Sequence, residues 1–109
     1  MPTSISRSAG LSLTKALSKE HARDGILVNA VCIGLIKSGQ HEHEFERQQE
    51  KNPELTLEHF YAAMGRDVPL GRVGETREAA DVILFLASAR ASYITGVAIN
   101  IDGGSAPVL

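Results

Sequence analysis

Ile26-Leu-Val-Asn-Ala-Val-Cys-Ile-Gly-Leu-Ile-Lys-Ser38 decides the fold. Its first part, Ile26 to Ile33, is apolar apart from Asn29 and lies between Gly25 and Gly34. A short apolar run bounded by glycines predicts a strand buried on both faces of a parallel sheet. Gly34 to Gln40 then reads as a loop. Upstream, residues 3–23 read as a helix. Ile5, Ala9, Leu13, Ala16 and Leu17 recur at three and four spacing, while Lys15, Lys19 and Arg23 fall elsewhere. Asp24-Gly25 ends that helix, with Gly25 suited to a left-handed cap.

Downstream the pattern continues. His41 to Lys51 is polar and helix-prone, with Phe45 its only large apolar residue, and Asn52-Pro53 breaks it. Thr56 to Met64 reads as a second short helix with Leu57, Phe60, Tyr61 and Met64 on one side. Val68-Pro-Leu-Gly-Arg-Val-Gly74 is turn-rich. Thr76 then opens a helix as its N-cap, with Glu78 in the first turn, where a negative charge suits the dipole. Ala79 to Ala87 is apolar almost all round apart from Asp81, which predicts burial on more than one side. Val97 to Ile101 is a second short strand, and Asp102-Gly103-Gly104 turns after it, with glycines for positive φ.

The order is helix, strand, helical insertion, helix, strand. Two strands joined through a helix form a parallel crossover, so the fold class is α/β. Two strands alone leave both sheet edges open and cannot cover such apolar helices. The sequence therefore reads as part of a larger sheet.

Composition narrows the function classes. The chain has 109 residues, 43% hydrophobic and 22% charged, with a net charge of −2. That is enough for one small domain. No basic cluster exists to release counterions from a nucleic acid, so no nucleic-acid partner is expected. No apolar run approaches the ~18 residues needed to span a bilayer, and no signal peptide follows Met1. Cys32 is the one cysteine, which rules out an internal disulfide and fits a reducing cytoplasm. In its apolar run it reads as a buried, inert thiol.

Several stretches together resemble one family. They are Gly25-Ile-Leu-Val-Asn-Ala-Val31, the Pro69-Leu-Gly-Arg72 turn, Ala87-Ser88, Ile94-Thr-Gly96 and Ile101-Asp-Gly-Gly104. In this order and spacing the chain resembles the short-chain dehydrogenase/reductases, from about Thr3 to Gly104. The resemblance implies the C-terminal part of a Rossmann-like, doubly wound parallel sheet. It makes residues 1–109 a C-terminal fragment of a single domain, with 39–66 as an insertion over the substrate. It also implies an NAD or NADP cofactor and a small alcohol or carbonyl substrate. The family's glycine-rich phosphate turn belongs to the opening half and has no counterpart here.

The resemblance carries over to particular residues. The loop that usually reads Pro-Gly-x-Ile/Val-x-Thr is here Ile33-Gly34-Leu35-Ile36-Lys37-Ser38. It makes Gly34, Ile36 and Ser38 the cofactor-binding residues. Gly34 lets the backbone pass the nicotinamide, Ile36 backbone groups bond the carboxamide, and the Ser38 hydroxyl reaches the pyrophosphate. The loop follows a strand's carboxyl end, where open α/β sheets bind ligands. The family's tyrosine and lysine, four residues apart on the first helix, fall on Thr3 and Arg7. No firm catalytic residue results, since a threonine hydroxyl is far too weak an acid to replace a phenol. Arg7 retains a fork of donors for a ribose hydroxyl or a phosphate. The plainer expectation is that Thr3 caps the helix and Arg7 is solvated.

Other groups weigh less. His41 and His43 point in different directions on a helix, so no metal site is expected and pairs such as His43 with Arg47 are expected instead. Tyr61 is read as a packing residue, with a phenol supplied to the active site as the sharper alternative. Tyr93 is expected to anchor the helix before it. Two functions follow. The first is a nicotinamide-dependent oxidoreductase, cytoplasmic and homo-oligomeric. The second is a non-catalytic relative acting only as a self-association module.

Overall fold

The computed structural model describes residues 2–108. Among the described residues the order is one α-helix, a strand, three α-helices and a second strand. Helix α1 is Pro2–Glu20, strand β1 is Ala30–Ile33, helix α2 is Gly39–Lys51 and helix α3 is Leu57–Met64. Helix α4 is Thr76–Ala87 and strand β2 is Ala98–Ile101. Single 3-10 turns lie at Ala22–Asp24, Gly65–Asp67 and Ala89–Ala91. β1 and β2 form a two-stranded sheet. Ala30 N–H donates to Val97 C=O and Gly34 N–H donates to Ile101 C=O, each at 2.9 Å. Donor and acceptor advance in step, so the pair is parallel and the fold is α/β, as the crossover pattern predicts.

The chain falls into two compact units. One takes the chain up to Cys32 with Val82–Ile99, the other Ile33–Asp81 with the chain from Asn100 on. In the first, α1 ends at Glu20, short of the predicted residue 23, and Gly25, with φ 74, caps the 3-10 turn Ala22–Asp24 that follows. Ser18 of α1 is buried, and Lys15 Nζ donates to Gly96 C=O at 3.1 Å. Residues 26–29 are not strand, a correction to the predicted Ile26–Ile33 span. Asn29 is the reason. Its Nδ2 donates to Ile94 C=O at 3.0 Å, and its Oδ1 accepts from Val97 N–H at 3.2 Å. A side chain thus takes hydrogen bonds that a backbone ladder would make. β1 is also only partly buried, and Cys32 is half-buried rather than enclosed. A sheet of two strands offers no second neighbour to cover it.

In the second unit, Phe60, Tyr61 and Val73 form the core, with Phe45, Leu55 and Met64 packed on it. Phe45, the one large apolar residue of α2, meets Phe60 at 5.7 Å between ring centroids. Thr56 caps α3, its hydroxyl accepting from His59 N–H at 3.2 Å. α4 starts differently from the sequence expectation. Thr76 is its first residue, not its cap, and the Thr76 hydroxyl donates to Lys37 C=O at 2.9 Å. Glu78 reaches back to Glu75 N–H at 2.7 Å, which is half of a capping box.

Two packing expectations are overturned. α4 was expected to be buried on more than one side, yet Leu84 is 69% exposed and Ile83 and Phe85 are also exposed. Tyr93 anchors nothing in this structure; its side chain is wholly exposed. Both corrections share one cause. The apolar surface encoded in the sequence exceeds what two strands and these helices can cover.

The loop after β1 and the first turns of α1

Leu35 to Lys37 is tied down as a one-residue parallel bridge between Ile36 and Gly74. Gly74 N–H donates to Leu35 C=O at 2.9 Å, and Lys37 N–H donates to Gly74 C=O at 3.0 Å. Residues 35 and 37 therefore face Gly74 with their polar groups. By the alternation of extended backbone, Ile36 N–H and C=O face the other way. The Ile36 side chain is buried and needs Gly74 bare: a Cβ there would lie 2.6 Å from Ile36 Cδ1.

Gly34 has a structural reason of its own. A Cβ at this position would lie 2.7 Å from Asp102 Cβ and 2.9 Å from Asp102 Cα. The glycine admits the turn after β2, where Gly103 and Gly104 take φ 62 and 88. That turn is held by the Asp102 carboxylate, which accepts from Gly104 and Ala106 N–H, each at 2.9 Å. Ser38 is exposed in extended backbone just before α2, with its Oγ 3.4 Å from His41 Nδ1.

A cleft of about 450 Å3 lies beside this loop, lined by Leu35, Ile36, Val68, Leu70, Arg72 and Asp102 among others. Arg72 grips Glu78 with two nitrogens, at 2.8 and 2.6 Å. Those bonds, then the one from Glu75 N–H, pull the Glu78 carboxyl down to about 2 from an ordinary 4.5. Sequence reasoning missed Arg72, Glu78 and Asp102 as shapers of this cleft. The Glu78 spacing from the helix start was a legible signal for its backbone bond, whereas nothing local announces Arg72 as its partner.

Thr3 and Arg7 lie on α1 and are exposed. α1 begins at Pro2, so Thr3 sits inside the first turn rather than capping it. Its C=O accepts from Ser6 Oγ at 3.1 Å. Tyr61 packs, as expected: it is 7% exposed, and its buried hydroxyl has no hydrogen-bond partner. On α2, His43 meets Glu46 and Arg47 meets Glu44, rather than pairing with each other. Among the described residues no group of three metal-ligating side chains converges, and no helix is long and apolar enough to cross a membrane.

The chain as a whole is similar to known proteins in sequence and in fold. Residues 2–106 match the family model described as enoyl-(acyl carrier protein) reductase. The chain belongs to the short-chain dehydrogenase/reductase family. It is 37% identical over 101 residues to oxidoreductase UcpA of Salmonella typhimurium, covering 93% of this chain and 37% of that protein. It is 43% identical over 99 residues to 3-oxoacyl-[acyl-carrier-protein] reductase FabG of Thermotoga maritima, covering 91% of this chain and 35% of that protein. Among solved structures it is similar to an apo short-chain oxidoreductase from Pseudomonas aeruginosa, described as containing an atypical catalytic center. The two share 38% identity with a TM-score of 0.88, over 98% of this chain and 41% of that one. An NADPH-bound structure of the same description has 36% identity and a TM-score of 0.83, covering 98% and 39%. The chain thus spans well under half the length of these relatives.

Proposed function

We propose that this chain is the part of a nicotinamide-dependent oxidoreductase that holds the nicotinamide end of the cofactor, in an enzyme reducing a carbonyl or oxidising an alcohol. The observation that carries this reading is the Ile36 peptide. Its N–H and C=O face away from the Gly74 bridge, so one donor and one acceptor stand beside each other for a carboxamide. When bound, the cofactor, NAD or NADP, exchanges a hydride with the substrate carbon. The chain's residues do the rest. Gly34 keeps the loop tight against the turn at Asp102, Ser38 offers an exposed hydroxyl to the pyrophosphate, and Arg7 offers donors to a ribose hydroxyl or phosphate. Residues 39–66 cover the substrate. Thr3 does not serve as the acid, because an aliphatic hydroxyl in water holds its proton far too tightly. The similarity to oxidoreductases with an atypical catalytic center supports a departure from the family's tyrosine and lysine at Thr3 and Arg7. A cytoplasmic, homo-oligomeric enzyme fits the lone Cys32 and the exposed apolar side chains.

The test is a chimera in which residues 2–106 replace the matching segment of the NADPH-bound Pseudomonas aeruginosa oxidoreductase. NADPH and NADH are titrated by fluorescence. Binding is expected, with a loss of roughly tenfold for Ser38→Ala, as for one good hydrogen bond to a charged group. A folded chimera that binds neither nucleotide removes the reading.

A second reading, a non-catalytic self-association module, draws on the exposure of Ile83, Leu84 and Phe85. It predicts that the chimera associates yet neither binds nucleotide nor turns over.

A further inference from the structure

We infer that Lys37 is a positioning residue, which locks the loop carrying Ile36 and Ser38 and so fixes the direction of the Ile36 peptide. This rests on the reading of that loop as the cofactor's.

Lys37 is held through both its side chain and its backbone. Its Nζ lies 2.6 Å from Glu75 Oε1 and 5.2 Å from the centroid of the Tyr61 ring. Its N–H donates to Gly74 C=O, and its C=O accepts from the Thr76 hydroxyl. One residue therefore joins the loop to α3 through Tyr61 and to the start of α4 through Glu75 and Thr76.

The partners are themselves fixed. The Tyr61 ring is buried and packs edge-on against Phe60 at 5.4 Å and near His41 at 6.5 Å. The Glu75 backbone is held by Glu78, which Arg72 grips in turn. A surface ion pair alone contributes little. Here the ammonium also lies over an aromatic face, an attraction strongest where the ring is withdrawn from water. Because the side chain and both backbone groups of one residue are attached, rotation of the neighbouring Ile36 peptide requires releasing Lys37. Nothing local in the sequence announces this role, since Lys37 falls at a variable position of the loop pattern.

The experiment uses the full 109-residue chain. Amide hydrogen exchange is followed by mass spectrometry over residues 34–39 in the parent, Lys37→Met, Lys37→Arg, Glu75→Gln and Tyr61→Leu. Lys37→Met keeps most of the stem and removes the charge. It should speed exchange of the loop amides roughly tenfold, as a local opening made easier, while α1 is unchanged. Lys37→Arg should restore slow exchange, because guanidinium also pairs with a carboxylate and stacks on a ring. A ring-current shift of the Lys37 side-chain protons in NMR spectra should vanish in Tyr61→Leu. Unchanged loop exchange in Lys37→Met would overturn the inference. If Lys37→Met fails to fold, Glu75→Gln and Tyr61→Leu decide together, since between them they remove both partners of the ammonium; parent-like loop exchange in both would overturn the inference equally. NADPH titration of the same substitutions in the Pseudomonas aeruginosa chimera separates the two claims. Loosened loop amides in the 109-residue variants, together with a folded parent chimera that binds no nucleotide, leave Lys37 as the lock and reject the cofactor reading alone.

Discussion

Gly34 is a residue whose proposed role and observed packing must be told apart. The sequence pattern gives this glycine to the cofactor, while the structure sets it against Asp102 Cα and Cβ. The contact is with backbone, which cannot rotate away. Gly34→Ala is therefore expected to lower stability by about 1–3 kcal/mol, the range for overpacking, whether or not nucleotide is present. Urea unfolding measures it, and an unchanged midpoint would mean that the turn at Asp102 shifts freely. Tyr61 poses the opposite case. Its buried hydroxyl lacks a partner, so Tyr61→Phe removes an unsatisfied group and should be neutral or stabilising by up to about 1 kcal/mol. Were Tyr61 instead the proton donor, the same variant in the chimera would lose turnover at unchanged stability. The packing of Tyr61 was legible from its neighbours Phe60 and Met64. The orphaned hydroxyl was not, because satisfaction depends on residues distant in sequence.

At the scale of elements, helices α1 to α4 were legible from apolar spacing and breakers such as Asn52-Pro53. The failures lie where a side chain competes with backbone. Asn29 shortens β1 at its start, and the Thr76 hydroxyl turns to Lys37 instead of capping α4. Both depend on partners dozens of residues away, which periodicity does not encode. The start of α4 gives a test through Glu78. Its carboxyl is held at about 2 in the folded chain against an ordinary 4.5, first by Arg72 and then by Glu75 N–H. A depressed carboxyl contributes stability that is complete above its unfolded value and lost as pH falls through its folded value. The melting temperature should therefore carry a component that declines between about pH 4.5 and pH 2. Glu78→Gln should lack that component and be the less stable near neutrality. Parallel melting curves for the two chains across that range would show that the pair with Arg72 contributes nothing.

For the whole molecule, what the sequence announced most plainly is what the structure leaves most exposed. The apolar run Ala79 to Ala87 and the two short strands were read as pieces of a larger sheet, and the relatives it matches are more than twice as long. Ile83, Leu84 and Phe85 are exposed on α4, as are Ile5 and Leu13 on α1 and Tyr93 beyond the helix. Each square ångström of such surface kept in water costs about 25 cal/mol, and patches beyond a few hundred square ångströms mark association sites. The 109-residue chain is expected to self-associate at micromolar concentration, and light scattering reads it directly. Leu84→Lys tests whether α4 is responsible. At 69% exposure Leu84 contributes little to the folded interior, so a lysine there should leave the circular dichroism spectrum intact while lowering the scattering mass. A parent chain that scatters as a monomer would show that this apolar surface does not drive association. A Leu84→Lys chain that associates as strongly as its parent would move the contact from α4 to α1.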